Sequence, residues 1–166
     1  STVSLPELKE RSIAVLRASM SDIRSLIHDM HPRSLTDQGL SLTIADMVGL
    51  LNKSKQICLV FESKPLPENL SEVVEINLFR VVQELLQNAL KHAQATHIWL
   101  HLYAEDTTLY LTYRDNGRGL APALPDKPAG NGLLNIRQRI MLLKGTCSFE
   151  SVSGQGITVS IAVPIE

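Results

Sequence analysis

The sequence predicts an α/β sandwich: a mixed, mostly antiparallel sheet of about five strands covered on one face by three helices, with one long helix leading into it. Three observations carry this. Residues 71–93 place apolar side chains at helical period on a wide face. Short β-rich runs at 96–104 and 108–114, and again at 146–151 and 156–164, fold back across Asp106-Thr107 and Ser153-Gly-Gln-Gly156. Further helical patterns at 40–54 and 132–144 stand before and between these runs.

The chain has 166 residues, enough for one domain with a core and a helical appendage. With a net charge of −1, nothing argues for the basic footprint of a nucleic-acid binder or for a membrane-surface patch. The two cysteines, Cys58 and Cys147, lie in strand-like runs without metal or redox spacing, so they read as ordinary buried thiols. No apolar run reaches transmembrane length and no signal-peptide pattern occurs. A bacterial cytoplasmic setting fits, with no membrane contact from this segment.

Residues 5–31 read as one helix, because Ile13, Leu16, Met20, Ile23, Ile27 and Met30 recur at alternating threes and fours, a heptad seam that needs a partner. Pro6 suits its first turn and Pro32 its stop. Residues 34–39 (SLTDQG) read as a linker. Leu42, Ala45, Met47, Val48, Leu50 and Leu51 make 40–54 a helix, and Gln56–Glu62 is a strand rich in β-formers. Pro65 and Pro67 mark a loop. In 96–104, Ile98, Leu100 and Leu102 alternate with His97, Trp99 and His101, the pattern of a half-buried strand; the two histidines lack a third ligand and read as a solvated face rather than a metal site. The stretch 120–129 holds three prolines and little to bury. Gly145 reads as the stop after the last helix.

The chemistry concentrates between residues 78 and 134. Glu84 and Asn88, four apart, stack on one helix face, and Lys91 and His92 continue it one turn on. An amide oxygen can complete a Mg²⁺ shell made of phosphate oxygens and waters, and a carboxylate one turn away can polarise a nucleophile. By itself such a face also reads as solvated surface. Asp115-Asn-Gly-Arg-Gly119 follows a strand-like run. Gly117 and Gly119 admit a flat ring close to the backbone, and the Asp115 carboxylate can accept from an exocyclic amine; taken alone the motif is a common hairpin turn. Gly130-Asn131-Gly132 opens a helical run, so its backbone N–H groups and the helix dipole face an anion. Neither a Walker A loop nor a GxGxxG fingerprint occurs.

In this order the three motifs resemble the Bergerat-type ATP-binding fold of the gyrase, Hsp90, histidine-kinase and MutL superfamily (GHKL), a two-layer sandwich. Glu84–His92 is similar to its N box, Asp115–Gly119 to its first glycine box and Gly130–Leu134 to its second. QELLQNALKHAQA and GLLNIRQRI resemble sensor histidine kinases of the group that partners LuxR/NarL-type response regulators. The resemblance covers nearly the whole chain. It implies ATP and Mg²⁺ as cofactors, with Asp115 and Thr158 taking adenine and Gly117 and Gly119 admitting the ring. Asn88 would hold Mg²⁺, and Lys91, His92 and the Gly130, Asn131, Gly132, Leu133 and Leu134 amides would neutralise phosphate. Glu84 would orient or deprotonate the accepting imidazole. The stretch 120–129 is similar to the family's ATP lid, and no phenylalanine box intervenes.

The same resemblance implies three parts: residues 1–33 as the second helix of a dimerisation and phosphotransfer domain, 34–39 as linker, and 40–166 as the catalytic domain. His28-Asp29 sits at a helix end before Pro32, not at the start of a long helix, so it resembles the end of the second dimerisation helix and not the phosphoacceptor. The chain is therefore expected to be a C-terminal fragment of a kinase that is a homodimer in full length. The accepting histidine would lie on an upstream helix, the relay would run to a response regulator, and an inner-membrane anchor in the parent stays open. An ATPase or anti-sigma-type serine kinase of the same fold, or a non-catalytic nucleotide-binding or dimerisation module, remain the alternatives.

Overall fold

A computed structural model describes residues 33–55, 57–120 and 131–165, together with Lys9, Glu10, Ser12, Ala14, Ser21, Asp22, Ser25 and Ile27. The chain divides into two compact units, Ser1–His31 and Pro32–Glu166. In the first, every described residue is helical; Ile27, a seam position, is buried and the other seven are exposed. The remaining seam positions and both His28 and His31 lie outside the described residues.

The second unit runs α1 (Arg33–Lys53), β1 (Cys58–Ser63), α2 (Glu72–Asn88) with a π-helical extension (Ala89–Ala93), β2 (His97–Glu105), β3 (Thr108–Asp115), α3 (Asn131–Leu142), β4 (Thr146–Val152) and β5 (Gly156–Pro164). Strand order is β1-β2-β3-β5-β4. Only β1 and β2 pair in parallel, as a β–α–β crossover through α2 requires. The other three pairings are antiparallel. This is the mixed, mostly antiparallel five-stranded sheet with three helices that the sequence predicts.

Side-chain alternation puts Ile98, Leu100 and Leu102 of β2, Leu109, Leu111 and Tyr113 of β3, and Val159, Ile161 and Val163 of β5 on one buried face. Val81, Val82, Leu85 and Leu86 of α2 are buried with them. Ser71 caps α2 by accepting from the Val74 N–H at 3.3 Å, with Glu72 and Glu75 in the first turn to complement the dipole. α2 touches both α1 and α3, while α1 reaches β1 and α3 reaches β4, so the helices cross the sheet in the order α1, α2, α3. The opposite sheet face carries His97, Trp99, His101 and Tyr103. There His97 stacks on Trp99, and Tyr103 stacks between His101 and Tyr110.

Three local readings change. The cysteines are not both buried: Cys58 is exposed and Cys147 half-buried. The segment 34–39, expected to be a linker, is helical in this structure up to residue 38 and breaks at Gly39, with φ +79° and ψ 172°. Leu35, 2% exposed, anchors that turn by burial, which polar composition around it does not reveal. Beyond the break, the Leu40 N–H donates to Glu75 Oε1 at 3.1 Å and the Thr43 hydroxyl to the Gly39 carbonyl at 2.8 Å. At the end of α3 the left-handed residue is Lys144, φ +53°, not Gly145. The Gly145 N–H donates to the Ile140 carbonyl at 2.9 Å and the Lys144 N–H to the Met141 carbonyl at 2.9 Å, a Schellman closure one residue earlier than glycine placement suggests. Gly145 is needed for proximity instead, since a Cβ there would stand 2.6 Å from the Ala162 carbonyl.

Candidate functional site

The site is built at the end of the sheet where β3 finishes. Asp115 is the last residue of β3 and is 1% exposed. It is not a hairpin residue: β3 pairs with β2 and β5, and the chain leaves it for α3. The Gly117 N–H donates to Asp115 Oδ1 at 2.8 Å and the Tyr113 hydroxyl donates to Oδ2 at 2.6 Å. Burial first, and then the adjacent Asp115 carboxylate, hold the Tyr113 phenol far above its ordinary pKa.

The loop after Asp115 is tied on three sides. The Asn116 amide oxygen accepts from the Thr96 and His97 N–H groups at 3.0 and 2.9 Å, which fastens it to the start of β2. The Arg118 N–H donates to the Ala93 carbonyl at 2.8 Å, at the end of the π segment, and the Gly154 N–H donates to the Arg118 carbonyl at 2.9 Å. A Cβ at Gly117 would collide with the Ala93 carbonyl. Gly119, at φ +75°, has Ser151 Oγ and the Val152 carbonyl 2.7 Å from where a Cβ would sit, so both conformation and space demand glycine. Gly156, at φ +86°, packs against the Asp115 carbonyl so closely that a Cβ there would collide with it.

The second half of the site is the approach of α3 to α2. A Cβ on Gly132 would collide with Glu84 Oε1 and lie 2.8 Å from Asn88 Nδ2. Gly132 stands in the first turn of α3, where N–H groups are free of helical partners. Glu84 and Asn88, both half-buried, therefore share one small region with an anion-favouring helix start, although more than forty positions separate them in sequence. These residues fit a metal–nucleotide: an amide oxygen for a hard cation, glycine-cleared backbone for phosphate, and a buried acceptor for a base.

The remaining predicted positions are placed less centrally. Lys91 and His92 are exposed on the π segment, whose wider turns rotate them away from the phase an uninterrupted α-helix would give. Leu133 is half-buried and Leu134 is 54% exposed. Gly130 lies outside the described residues; Asn131 begins α3. Thr158 is a correction. It pairs with Arg114 on β3 and Glu150 on β4, while its neighbour Val159 pairs with Tyr113 and is fully buried. With a side-chain period of two, Thr158 faces the open side of the sheet with Arg114, away from Asp115. Ile157, half-buried and opposite Ser151, holds the site-facing position instead.

Tyr113 is a partner of Asp115 that reading motifs missed; the same two-residue period, counted back from Asp115, would have found it. Arg137 stacks over Phe149 with its guanidinium 5.1 Å from the ring centre, and Arg139 donates to Asn77 Oδ1 at 3.2 Å, so both have structural partners. Among the described residues no cluster of three His, Cys, Asp or Glu could hold a metal ion, and no helix is long and apolar enough to cross a membrane.

A mixed sheet roofed by three helices, with an acidic strand end and glycine-cleared helix start, defines a nucleotide-binding domain of the ATPase type. The chain belongs to the histidine kinase-, DNA gyrase B- and HSP90-like ATPase family, whose model matches residues 73–166, and its catalytic domain is homologous to those of sensor histidine kinases. Family membership implies ATP as the nucleotide. It is 32% identical over 152 residues to the signal transduction histidine-protein kinase/phosphatase DegS of Brevibacillus brevis, covering 91% of this chain and 39% of that protein. It is also 32% identical over 170 residues to an uncharacterised sensor-like histidine kinase of Chloroflexus aurantiacus, covering 98% of this chain and 28% of that one. The chain thus spans well under half the length of both relatives. Its fold is similar to the histidine kinase domain of the blue-light activated kinase of Erythrobacter litoralis EL346, with a TM-score of 0.62 and 20% identity over 76% of this chain and 61% of that one. It is also similar to the Acinetobacter baumannii histidine kinase AdeS, with a TM-score of 0.60 and 16% identity over 100% and 87% of the two chains.

Proposed function

We propose that this chain is the ATP-binding catalytic portion of a sensor histidine kinase that transfers the ATP γ-phosphoryl group to a histidine on a dimerisation helix, for relay to a response regulator of the LuxR/NarL type. In this reading residues 1–33 are the second helix of the dimerisation domain, 34–39 the connection, and 40–166 the catalytic domain, with the full-length protein a homodimer. The accepting histidine is neither His28 nor His31.

The observation that carries the proposal is the meeting of Gly132 with Glu84 and Asn88 while Asp115 lies buried at the end of β3. Asp115 accepts from the exocyclic amine of adenine, and Gly117 and Gly119, packed against Ala93 and against Ser151 and Val152, hold the loop close beside it. Asn88 holds Mg²⁺ through its amide oxygen. Lys91, His92 and the backbone N–H groups at the start of α3 stabilise phosphate charge. Magnesium, when bound, neutralises charge on the phosphate oxygens. Phosphoryl transfer depends mainly on positioning and charge stabilisation, so the remaining task is to present the imidazole in line, with Glu84 orienting it or taking its proton. Two relatives named as histidine kinases favour this over an ATPase, a serine kinase or a non-catalytic module.

Calorimetric titration of Mg-ATP into the chain and into Asp115→Ala tests the base-reading role. Loss of binding in the variant is expected, and retained affinity refutes the assignment. Incubation with γ-labelled ATP tests the acceptor: stable acid-labile label that disappears in His28→Ala would make His28 the substrate and overturn the domain reading.

A further inference from the structure

We propose that Tyr113 is a positioning residue that fixes the orientation of the Asp115 carboxylate, and thereby selects nucleotides bearing a 6-amino group over those bearing a 6-oxo group. The proposal rests on the assignment of Asp115 as the residue that reads the base.

Residues 113 and 115 point to the same side of β3, and both are 1% exposed. Among the described residues the carboxylate receives one donor on each oxygen: the Gly117 N–H on Oδ1 at 2.8 Å and the Tyr113 O–H on Oδ2 at 2.6 Å. A carboxylate has about four lone-pair sites, so acceptor capacity remains on both oxygens for a ligand. With one donor held on each oxygen, the carboxylate cannot turn about its bond to Cβ without breaking a buried hydrogen bond. Its remaining acceptor sites therefore keep one direction. A 6-amino group donates to such a site, whereas a 6-oxo group, itself an acceptor, finds no donor there. Any side chain at Gly117 would collide with Ala93, so Tyr113 is the adjustable member of the pair.

The test is calorimetric titration of Mg-ATP and Mg-ITP into the full chain, Tyr113→Phe and Asp115→Ala, read as the ratio of the two dissociation constants. Tyr113→Phe is expected to weaken ATP about tenfold, because the freed carboxylate turns away from the amine and a small misplacement of a positioned group is costly. It should weaken ITP much less, so that the preference for ATP falls at least about fivefold by the same reasoning. A purely structural tyrosine would move both constants together and leave the ratio at its original value; that result overturns the proposal. Unchanged ATP binding in Asp115→Ala would instead overturn the base-reading assignment beneath it. If Tyr113→Phe does not fold, the unaltered chain still decides. The buried Tyr113 hydroxyl proton is expected to exchange slowly and to shift in the NMR spectrum on adding Mg-ATP but not Mg-ITP. Absence of a shift with Mg-ATP refutes the idea.

Discussion

Gly132→Ala separates the architecture of the site from the stability of the fold. The substitution adds one methyl group in the first turn of α3, where it meets Glu84 Oε1 and the Asn88 amide. Both are the far ends of flexible side chains, so they can swing aside. Alanine in place of glycine gains at most ~1 kcal/mol of helix propensity, less in a first turn than mid-helix. Forcing two side chains from preferred rotamers costs ~0.5–1.5 kcal/mol each. These terms oppose each other, so stability should fall by no more than ~3 kcal/mol, a shift of several degrees in Tm for a domain of this size. Function has no such compensation. Asn88 and Glu84 leave the positions that make them useful, and an error of about 1 Å in a positioned group can cost ~100-fold. The expected result is a folded protein whose Mg-ATP affinity, measured by calorimetry beside a thermal melt, falls at least tenfold by that estimate. Wild-type affinity in Gly132→Ala would refute the claim that α2 and α3 jointly form the phosphate end of the site.

Thr158→Ala is expected to leave ATP affinity within about twofold, because that side chain faces the open side of the sheet beside Arg114, and a change on an exposed strand face away from the ligand rarely exceeds ~0.5 kcal/mol; a loss comparable to Asp115→Ala in the same titration would contradict the strand register. Asn52 ties the end of α1 to the free edge of β1, donating to the Leu59 carbonyl and accepting from the Leu59 N–H, each at 2.8 Å. Asn52→Ala should therefore cost ~1–3 kcal/mol in urea unfolding, and a change below ~0.5 kcal/mol would show that water replaces both bonds. Tyr113 sets an alkaline limit: its folded pKa is raised far above the ordinary 10.0, so the native state keeps a proton that the unfolded chain loses. Stability from this residue is intact below pH ~10 and declines by ~1.4 kcal/mol per pH unit above it. Comparing unfolding between pH 9 and 11 should show this decline in the wild type and a smaller one in Tyr113→Phe; equal slopes would refute it.

Period-two and period-3.6 patterns were enough to read most of the fold, because burial enforces them. Ile98, Leu100 and Leu102 alternate in sequence and are buried in the structure, and the apolar face of α2 does the same with Val81, Val82, Leu85 and Leu86. What composition could not show was burial of isolated residues and backbone exceptions. Leu35, set among polar neighbours, turns an expected linker into a packed helical turn that ends at Gly39. Lys144 takes the left-handed conformation that a glycine one position later seemed to claim, and Gly145 serves close packing instead. Thr158 failed for a sharper reason: one residue of register inverts the face of a strand, and motif matching has no access to register.

The π segment at Ala89–Ala93 shows why the site is less legible than the fold. Helical spacing in sequence assumes 3.6 residues per turn, and on that assumption Lys91 and His92 continue the face of Glu84 and Asn88. The chain changes its winding after Asn88 and ends the segment with Gln94 in the left-handed conformation, φ +53°. The Ala93 carbonyl is thereby left for the Arg118 N–H and stands against Gly117. The same irregularity that displaces Lys91 and His92 thus holds the loop following Asp115. A regular α-helix through residue 93 would direct that carbonyl elsewhere and detach the loop after Asp115 from the end of α2. The coupling lies in the backbone, so it leaves no side-chain signature in the sequence. It also explains why the glycine at 117 is required by the helix end it touches as much as by a ligand.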